Sequence, residues 1–299
     1  MGKQQIELLG DADRPGAWML LVDGVSQSHV DLDDPLYLDL EYMRWLGHLA
    51  DLAAPAGVPL RVLHLGGGGL TLARYVAATR PGSCQVAVES DAEVAELVQR
   101  RLPLGQPGQP LAGQLPAGQA HTGQPPAGQP PTEQISVRIA DARAALEQFP
   151  ASSVDLLVCD VFAGARTPGH VTSAEFTALA ARALAPSGIY AVNVGDGPVG
   201  DGPPLAHARA RTATVRSVFA HACVIAEAAV LRGRRFGNLV IAAAGRELPV
   251  SQLIRRTAAD PFPARVVEGG ALAQFIAEAE PITDAHAQPS PPVPPEVFA

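Results

Sequence analysis

The chain has 299 residues, 47% of them hydrophobic but only 5% aromatic, so its core must be assembled mainly from Ala, Val and Leu, in one large domain or two small ones. A formal net charge of −8 argues against a nucleic-acid or anionic-membrane partner and suits a cationic substrate. With no apolar run of about 18 residues and no apolar signal stretch after the first residues, a soluble, cytoplasmic protein is expected. The three cysteines, Cys84, Cys159 and Cys223, are odd in number, lack zinc spacing and read as buried free thiols, so no metal is expected.

In chain order, residues 17–28 read as two short strands around an Asp23-Gly24 turn, the start of a small N-terminal β unit. Asp31, Asp33 and Asp34 read as an N-cap and a solvated face before a helix over 36–53, whose Leu36, Leu40, Met43, Leu46 and Leu49 keep helical spacing. Residues 1–54 thus form a hairpin-and-helix unit. A buried strand over 61–65, a turn of four glycines (Gly66, Gly67, Gly68 and Gly69) and a helix over 71–79 follow. That order offers free backbone N–H groups and a positive dipole end to a ligand. Contiguous glycines cost conformational entropy, so the backbone there is expected to approach something closely.

The glycines do not match G-x-G-x-x-G, and no Gly-Lys-Ser/Thr follows as a phosphate loop demands. The next strand, 85–89, ends in Glu89, and a carboxylate there can accept hydrogen bonds from both hydroxyls of a ribose. A helix over 91–101 takes Asp91 as N-cap. Residues 102–134 repeat Pro, Gly, Gln and Ala imperfectly and read as a disordered, polyproline-biased insertion.

Alternation resumes with a strand over 136–140 ending at Asp141, a helix over 142–149, and an apolar strand over 154–159, central in a parallel sheet, ending at Asp160. A helix over 173–184, a strand over 189–194, a helix over 205–219 and strands over 222–230 and 238–244 complete a doubly wound sheet with an antiparallel strand at its end. Residues 55–247 make up this α/β domain; 248–299 are read as C-terminal helices and a Pro-rich tail. Arg232, Arg234 and Arg235 read as a solvated hairpin tip.

Ligands of open α/β sheets sit outside the carboxyl ends of the strands, and here those ends collect the glycines, Glu89, Asp141 and Asp160. Such a rim repels phosphate and attracts a cationic nucleoside, such as S-adenosylmethionine or its decarboxylated form. Asp141 can be an N-cap or an adenine contact. Asp160 is freer for chemistry, because VFAGARTPGH after it is a poor helix start.

Several motifs carry a resemblance. LVDGVSQ over 21–27 resembles an LDG-x-x-Q segment, Tyr37-Leu38-Asp39 stands where the family has Tyr-x-Glu, and VLHLGGGGLTLARYV resembles VL-x-x-GGGDGG-x-x-REV. The stretch after Leu156 resembles the segment carrying D-x-x-D. From about 18 to 244 the chain is similar to the spermidine synthase (polyamine aminopropyltransferase) family, which implies a class I methyltransferase-type Rossmann-like fold behind a small β unit. It also implies a transferase using decarboxylated S-adenosylmethionine, or S-adenosylmethionine, as co-substrate and a small amine as acceptor. By the resemblance Asp160 is the general base. Gln27, Gly66, Gly67, Gly68, Glu89, Asp141 and Ala142 hold the co-substrate, and Tyr37, Asp39 and Asn193, with Gln27, line the acceptor pocket. A homodimer or homotetramer is implied as well.

The departures are specific. Gly69 replaces the Asp that in the family holds the amine of the co-substrate, Ala163 replaces the second Asp of D-x-x-D, and Asn193 replaces a Gln. Each lost charge-assisted hydrogen bond is worth about 1.5–3 kcal/mol, so putrescine use is expected to fall by powers of ten. Three readings remain: an aminopropyltransferase with an altered acceptor, an S-adenosylmethionine-dependent methyltransferase, and a non-catalytic nucleoside-binding protein, against which Asp160 speaks.

Overall fold

The computed structural model describes residues 5–104, 134–198 and 202–294, so most of the expected insertion lies outside the described residues. The N-terminal unit is a three-stranded antiparallel sheet, β1 (Ile6–Gly10), β2 (Ala17–Val22) and β3 (Val25–Asp31), in that order. The hairpin at Asp23-Gly24 is where the sequence puts it; β1, five residues with an exposed end, is an addition.

Helix α1 (Glu41–Leu52) begins five residues later than its apolar spacing suggests. The acids cause the delay. Asp31 Oδ1 accepts the N–H groups of Asp33 and Asp34, and Asp34 Oδ1 that of Leu36, so local side-chain bonds hold the connector in turns that compete with helix. Asp31 is neither an N-cap nor solvated: it is 4% exposed and paired with Arg14 Nε at 2.6 Å.

The main sheet then builds from β4 (Arg61–Leu65), α2 (Thr71–Thr79), β5 (Cys84–Glu89), α3 (Ala92–Arg101), β6 (Gln134–Ile139), α4 (Ala142–Glu147), β7 (Val154–Cys159), α5 (Ala174–Ala183) and β8 (Leu184–Asp196). After these come α6 (Ala206–Val218), β9 (His221–Glu227), the short α7 (Ala228–Leu231), β10 (Gly237–Ala244), α8 (Val250–Ala259), β11 (Ala264–Val267) and α9 (Gly269–Ile276). The eight strands lie in the order β11-β9-β10-β8-β7-β4-β5-β6. The strands from β8 to β6 are parallel; β10 is antiparallel to both neighbours and lies between β8 and β9, and β11, not foreseen, pairs outside β9.

Side-chain caps explain three helix starts. Asp91 accepts from Glu93 and Val94 N–H, Asp141 from Arg143 and Ala144, and Ser173 from Phe176. The apolar run of β7 is buried between β4 and β8, as central parallel strands require. Strand β8 is longer than expected because it continues past Pro186-Ser187-Gly188 with a register shift against β7. A second, smaller core joins the N-terminal sheet to α2 and α3 through Leu20, Val22, Val30, Leu70, Ala73, Val94 and Val98. Cys159 and Cys223 are buried; Cys84, read as buried, is exposed, since it opens β5 at the sheet's lower edge.

The Pro-rich end carries no helix or strand over 281–294, yet it is strapped to the body. Ile282 C=O accepts from Ala174 N–H, Asp284 forms a two-pronged bond with Arg143 (2.7 and 2.6 Å), and Ser290 exchanges bonds with Thr167 through its N–H and its hydroxyl. Arg166 Nε donates to Ser290 C=O at 2.6 Å. Each net bond is worth about 1 kcal/mol. A chain ended at Pro281 is therefore expected to melt about 10 °C lower and to become cleavable by trypsin after Arg166, both readable by calorimetry and limited proteolysis.

Candidate active site

The glycine turn sits at the carboxyl end of β4, and each glycine meets a different part of the chain. Gly66 has φ +93°, and a Cβ there would lie 2.0 Å from the backbone oxygen of Asp160. At Gly67 a Cβ would lie 3.1 Å from Glu89 Cβ; at Gly68 it would meet Ser28 Oγ at 2.5 Å, and at Gly69 Val30 Cγ2 at 2.5 Å. The close approach expected of a ligand is thus made first by the protein itself. Position 69 is closed to an aspartate by Val30 and Ser28 of β3, and Gly69 N–H donates to Ser28 Oγ at 3.0 Å.

Glu89 ends β5 beside this turn. One carboxylate oxygen accepts the N–H groups of both Gly67 and Gly68 at 3.1 Å, and the other that of Asp91 at 2.9 Å. An oxygen with two lone pairs engaged along one side fixes the loop and leaves the partly exposed carboxylate edge toward the rim. Asp141 caps α4 and also receives His170 Nε2 at 2.7 Å. Burial opposes its ionisation, but the Ala144 N–H and His170 outweigh it and hold the carboxyl below its ordinary range.

Asp160 follows β7, its N–H bonded to Leu65 C=O at 2.8 Å, which locks the ends of β4 and β7 together. Asn193 Nδ2, from β8, donates to its Oδ1 at 2.9 Å, and the Tyr42 hydroxyl, from α1, addresses the same carboxylate. Desolvation raises the Asp160 pKa; the bonds from Asn193 and Tyr42 offset only part of it. Desolvation also pushes the Tyr42 phenol well up, so it stays a donor. Asn193 is 3% exposed, and its Oδ1 has no hydrogen-bond partner among the described residues.

The structure brings Asp160, Asn193 and the glycine turn together. Gln27 joins them loosely, its Nε2 reaching Val25 C=O at 3.4 Å and Gly164 C=O at 3.5 Å. Tyr37 and Asp39 form a different group: the phenol donates to Asp39 at 3.0 Å, the ring lies 3.8 Å under the Arg14 guanidinium, and His29 meets it edge-on. None of those bonds reaches Asp160. Sequence reasoning missed Tyr42, Ser28, Val30 and His170. A signal for Tyr42 existed, since it falls on the buried stripe of α1 with Met43, Trp45 and Leu46, where a hydroxyl needs a partner. Ala142, next to Asp141, is 5% exposed and opens α4. Among the described residues no group of metal-ligating side chains could hold an ion, and no helix is long and apolar enough to cross a membrane.

This sheet, with its glycine turn at one strand end and acids at the next, is the class I methyltransferase-type Rossmann-like α/β fold behind a small N-terminal β unit. No family model matches the chain, and no curated protein matches it significantly. Among solved structures it is similar to a probable spermidine synthase from Corynebacterium glutamicum, at 32% identity over 94% of each chain with a TM-score of 0.77. Two more distant spermidine synthases share the fold. One, in complex with the transition-state analogue AdoDATO, has 17% identity over 92% of this chain and 82% of that one, with a TM-score of 0.57. The other, from Thermotoga maritima, has 15% identity over 87% and 76%, with a TM-score of 0.54. The chain belongs to the spermidine synthase family.

Gly66→Ala places a Cβ against the Asp160 backbone at a left-handed φ. It is expected to cost about 3 kcal/mol or more in urea denaturation, from strain and overlap together.

Proposed function

We propose that this chain is an aminopropyltransferase of the spermidine synthase type with a divergent acceptor, moving the aminopropyl group of decarboxylated S-adenosylmethionine to an amine. The observation that carries the reading is Asp160: a half-buried carboxylate between a glycine–glutamate cradle and a buried amide with a free acceptor oxygen. In this reading Glu89 takes the ribose hydroxyls, Gly66, Gly67 and Gly68 give the backbone surface for the nucleoside, and Asp141 with Ala142 meets the adenine. Gln27 borders both substrates. The family resemblance to proteins that include an AdoDATO complex supports an S-adenosylmethionine-related co-substrate.

The reaction needs little from the protein beyond alignment and one proton acceptor. The acceptor nitrogen's lone pair attacks the propyl carbon bonded to sulfonium sulfur. That C–S bond breaks, its electrons neutralise the sulfur, and methylthioadenosine leaves. The new ammonium gives its proton to Asp160. A carboxyl with a raised pKa is a better match for that task near neutral pH than an ordinary one.

Calorimetric titration with decarboxylated S-adenosylmethionine, S-adenosylmethionine and methylthioadenosine, followed by amine addition and mass spectrometry, tests the reading. Decarboxylated co-substrate should bind and release methylthioadenosine when an amine is added. Preference for the carboxylated form, which Gly69 no longer disfavours by a lost charge partner, replaces the reading with methyl transfer; no binding of any of the three ends it. Asp160→Asn is expected to keep nucleoside affinity within a few fold and lower turnover by about 10²–10⁴. Tyr42→Phe removes a bond that stabilises ionised Asp160, so the acid limb of kcat/KM should move to higher pH; an unmoved limb would show that Asp160 is not the titrating base.

A further inference from the structure

The order of strands divides the site. The glycine turn and Glu89 lie at the ends of β4 and β5, Asp160 at the end of β7, and beyond Asp160, away from the glycine turn, lie the ends of β8 and β10. Asn193 and Gly195 share a face of β8, because strand residues two apart point the same way, about 6.6 Å apart. Asn193 Oδ1 is a buried acceptor with no partner among the described residues; its residue is 3% exposed and held beside Asp160 by the amide's other end. Such a group calls for a donor, and the N–H of the attacking amine supplies one. Over Gly195 lie two half-buried rings: a Cβ there would be 3.3 Å from Phe236 Cζ and 4.0 Å from Phe162 Cε1.

Among the described residues, the carboxylates at these strand ends are already engaged. Asp196, on the opposite face of β8, accepts the N–H groups of Gly197 and Ala208 at 2.8 and 2.7 Å, and Glu227 at the end of β9 pairs with Arg235 at 2.8 Å. Position 163, in the loop after Asp160, is an exposed alanine. The segment joining α7 to β10, at the same end of the sheet, adds the exposed Arg232 and Arg234. One nitrogen is provided for; a second cation at the far end meets rings and arginines.

Resting on the transferase reading, we infer that the acceptor is a primary monoamine with an apolar body, its nitrogen set between Asp160 and Asn193 Oδ1 and its body on Phe162 and Phe236. The covalent step is unchanged: nitrogen bonds to the propyl carbon, the C–S bond opens, and the proton passes to Asp160. Selectivity comes from what the wall lacks as much as from the rings, since among the described residues of that wall a diamine's second ammonium meets no free carboxylate.

The test measures methylthioadenosine release by the full-length protein with decarboxylated S-adenosylmethionine and one of four amines: n-pentylamine, phenethylamine, putrescine or 5-aminovalerate. An apolar monoamine should exceed putrescine and 5-aminovalerate at least tenfold in kcat/KM. Phe236→Ala, and separately Phe162→Leu, should raise the KM of the apolar amine, the former about tenfold, while the KM of the co-substrate stays the same. Putrescine as the best acceptor overturns the inference and assigns the second ammonium to Asp39 or Glu41 on the α1 side; 5-aminovalerate as the best overturns it in favour of the arginines. Ring variants that both fold, by an unchanged melting profile, and leave the acceptor KM unmoved also overturn it. Co-substrate binding with no amine consumed removes the transferase reading itself, and this assignment with it.

Discussion

The carbonyl of Asp160 stands where a side chain on residue 66 would begin, and much else follows from that contact. It requires glycine at the end of β4, in a backbone conformation that other residues rarely adopt. The Asp160 N–H meanwhile bonds the Leu65 carbonyl, so two neighbouring parallel strands end in register with their loops crossing at once. From this crossing the turn can run only toward β5, where Glu89 takes up two of its N–H groups, and then toward β3, where Ser28 takes a third. The same crossing points the Asp160 side chain at Asn193 and Tyr42. The glycine cradle and the proposed base are two sides of one backbone contact.

Electrostatics then sorts the acids by what surrounds them. Asp141 is held low by a helix start and a histidine, and so stays an acceptor rather than a base, while Asp31 is held low by Arg14 and serves the architecture. Asp160 is pushed the other way by desolvation, its two donors being neutral groups rather than cations. A carboxylate kept from full charge compensation is the one suited to take a proton. Charge count alone, with thirty acids in the chain, would not single it out.

Where local order and burial agreed, the sequence was readable: β4, the glycine turn, α2, β5 and the apolar β7 stand within a residue or so of their predicted ends. The family to which those motifs pointed is borne out by the likeness to a solved relative along nearly the whole chain. Short β1 and β11 escaped because four or five residues carry too little periodicity. The start of α1 was obscured by aspartates whose side chains compete for backbone N–H groups, and Tyr42 by looking like one more core residue of that helix. Val30 and Ser28 were invisible for another reason: what fills the space at residue 69 is a matter of how two sheets pack, which no local pattern encodes. The strap over 282–290 is held by backbone and polar bonds, without the repeating pattern from which helices and strands are read.

Arg74, on the buried side of α2, grips three carbonyl groups: that of Gly69 in the turn, and those of Leu102 and Pro103 after α3. Burial lowers its pKa to about 10, still leaving the guanidinium charged at neutral pH. The chain leaves α3 through this clamp and rejoins the sheet at β6, the edge strand. Whatever length of polypeptide lies between is therefore anchored at its root before it can pull on the glycine turn. A protein engineer has there a splice point at which a guest domain could be carried by the protein, its pull taken up by Arg74 before it reaches the site.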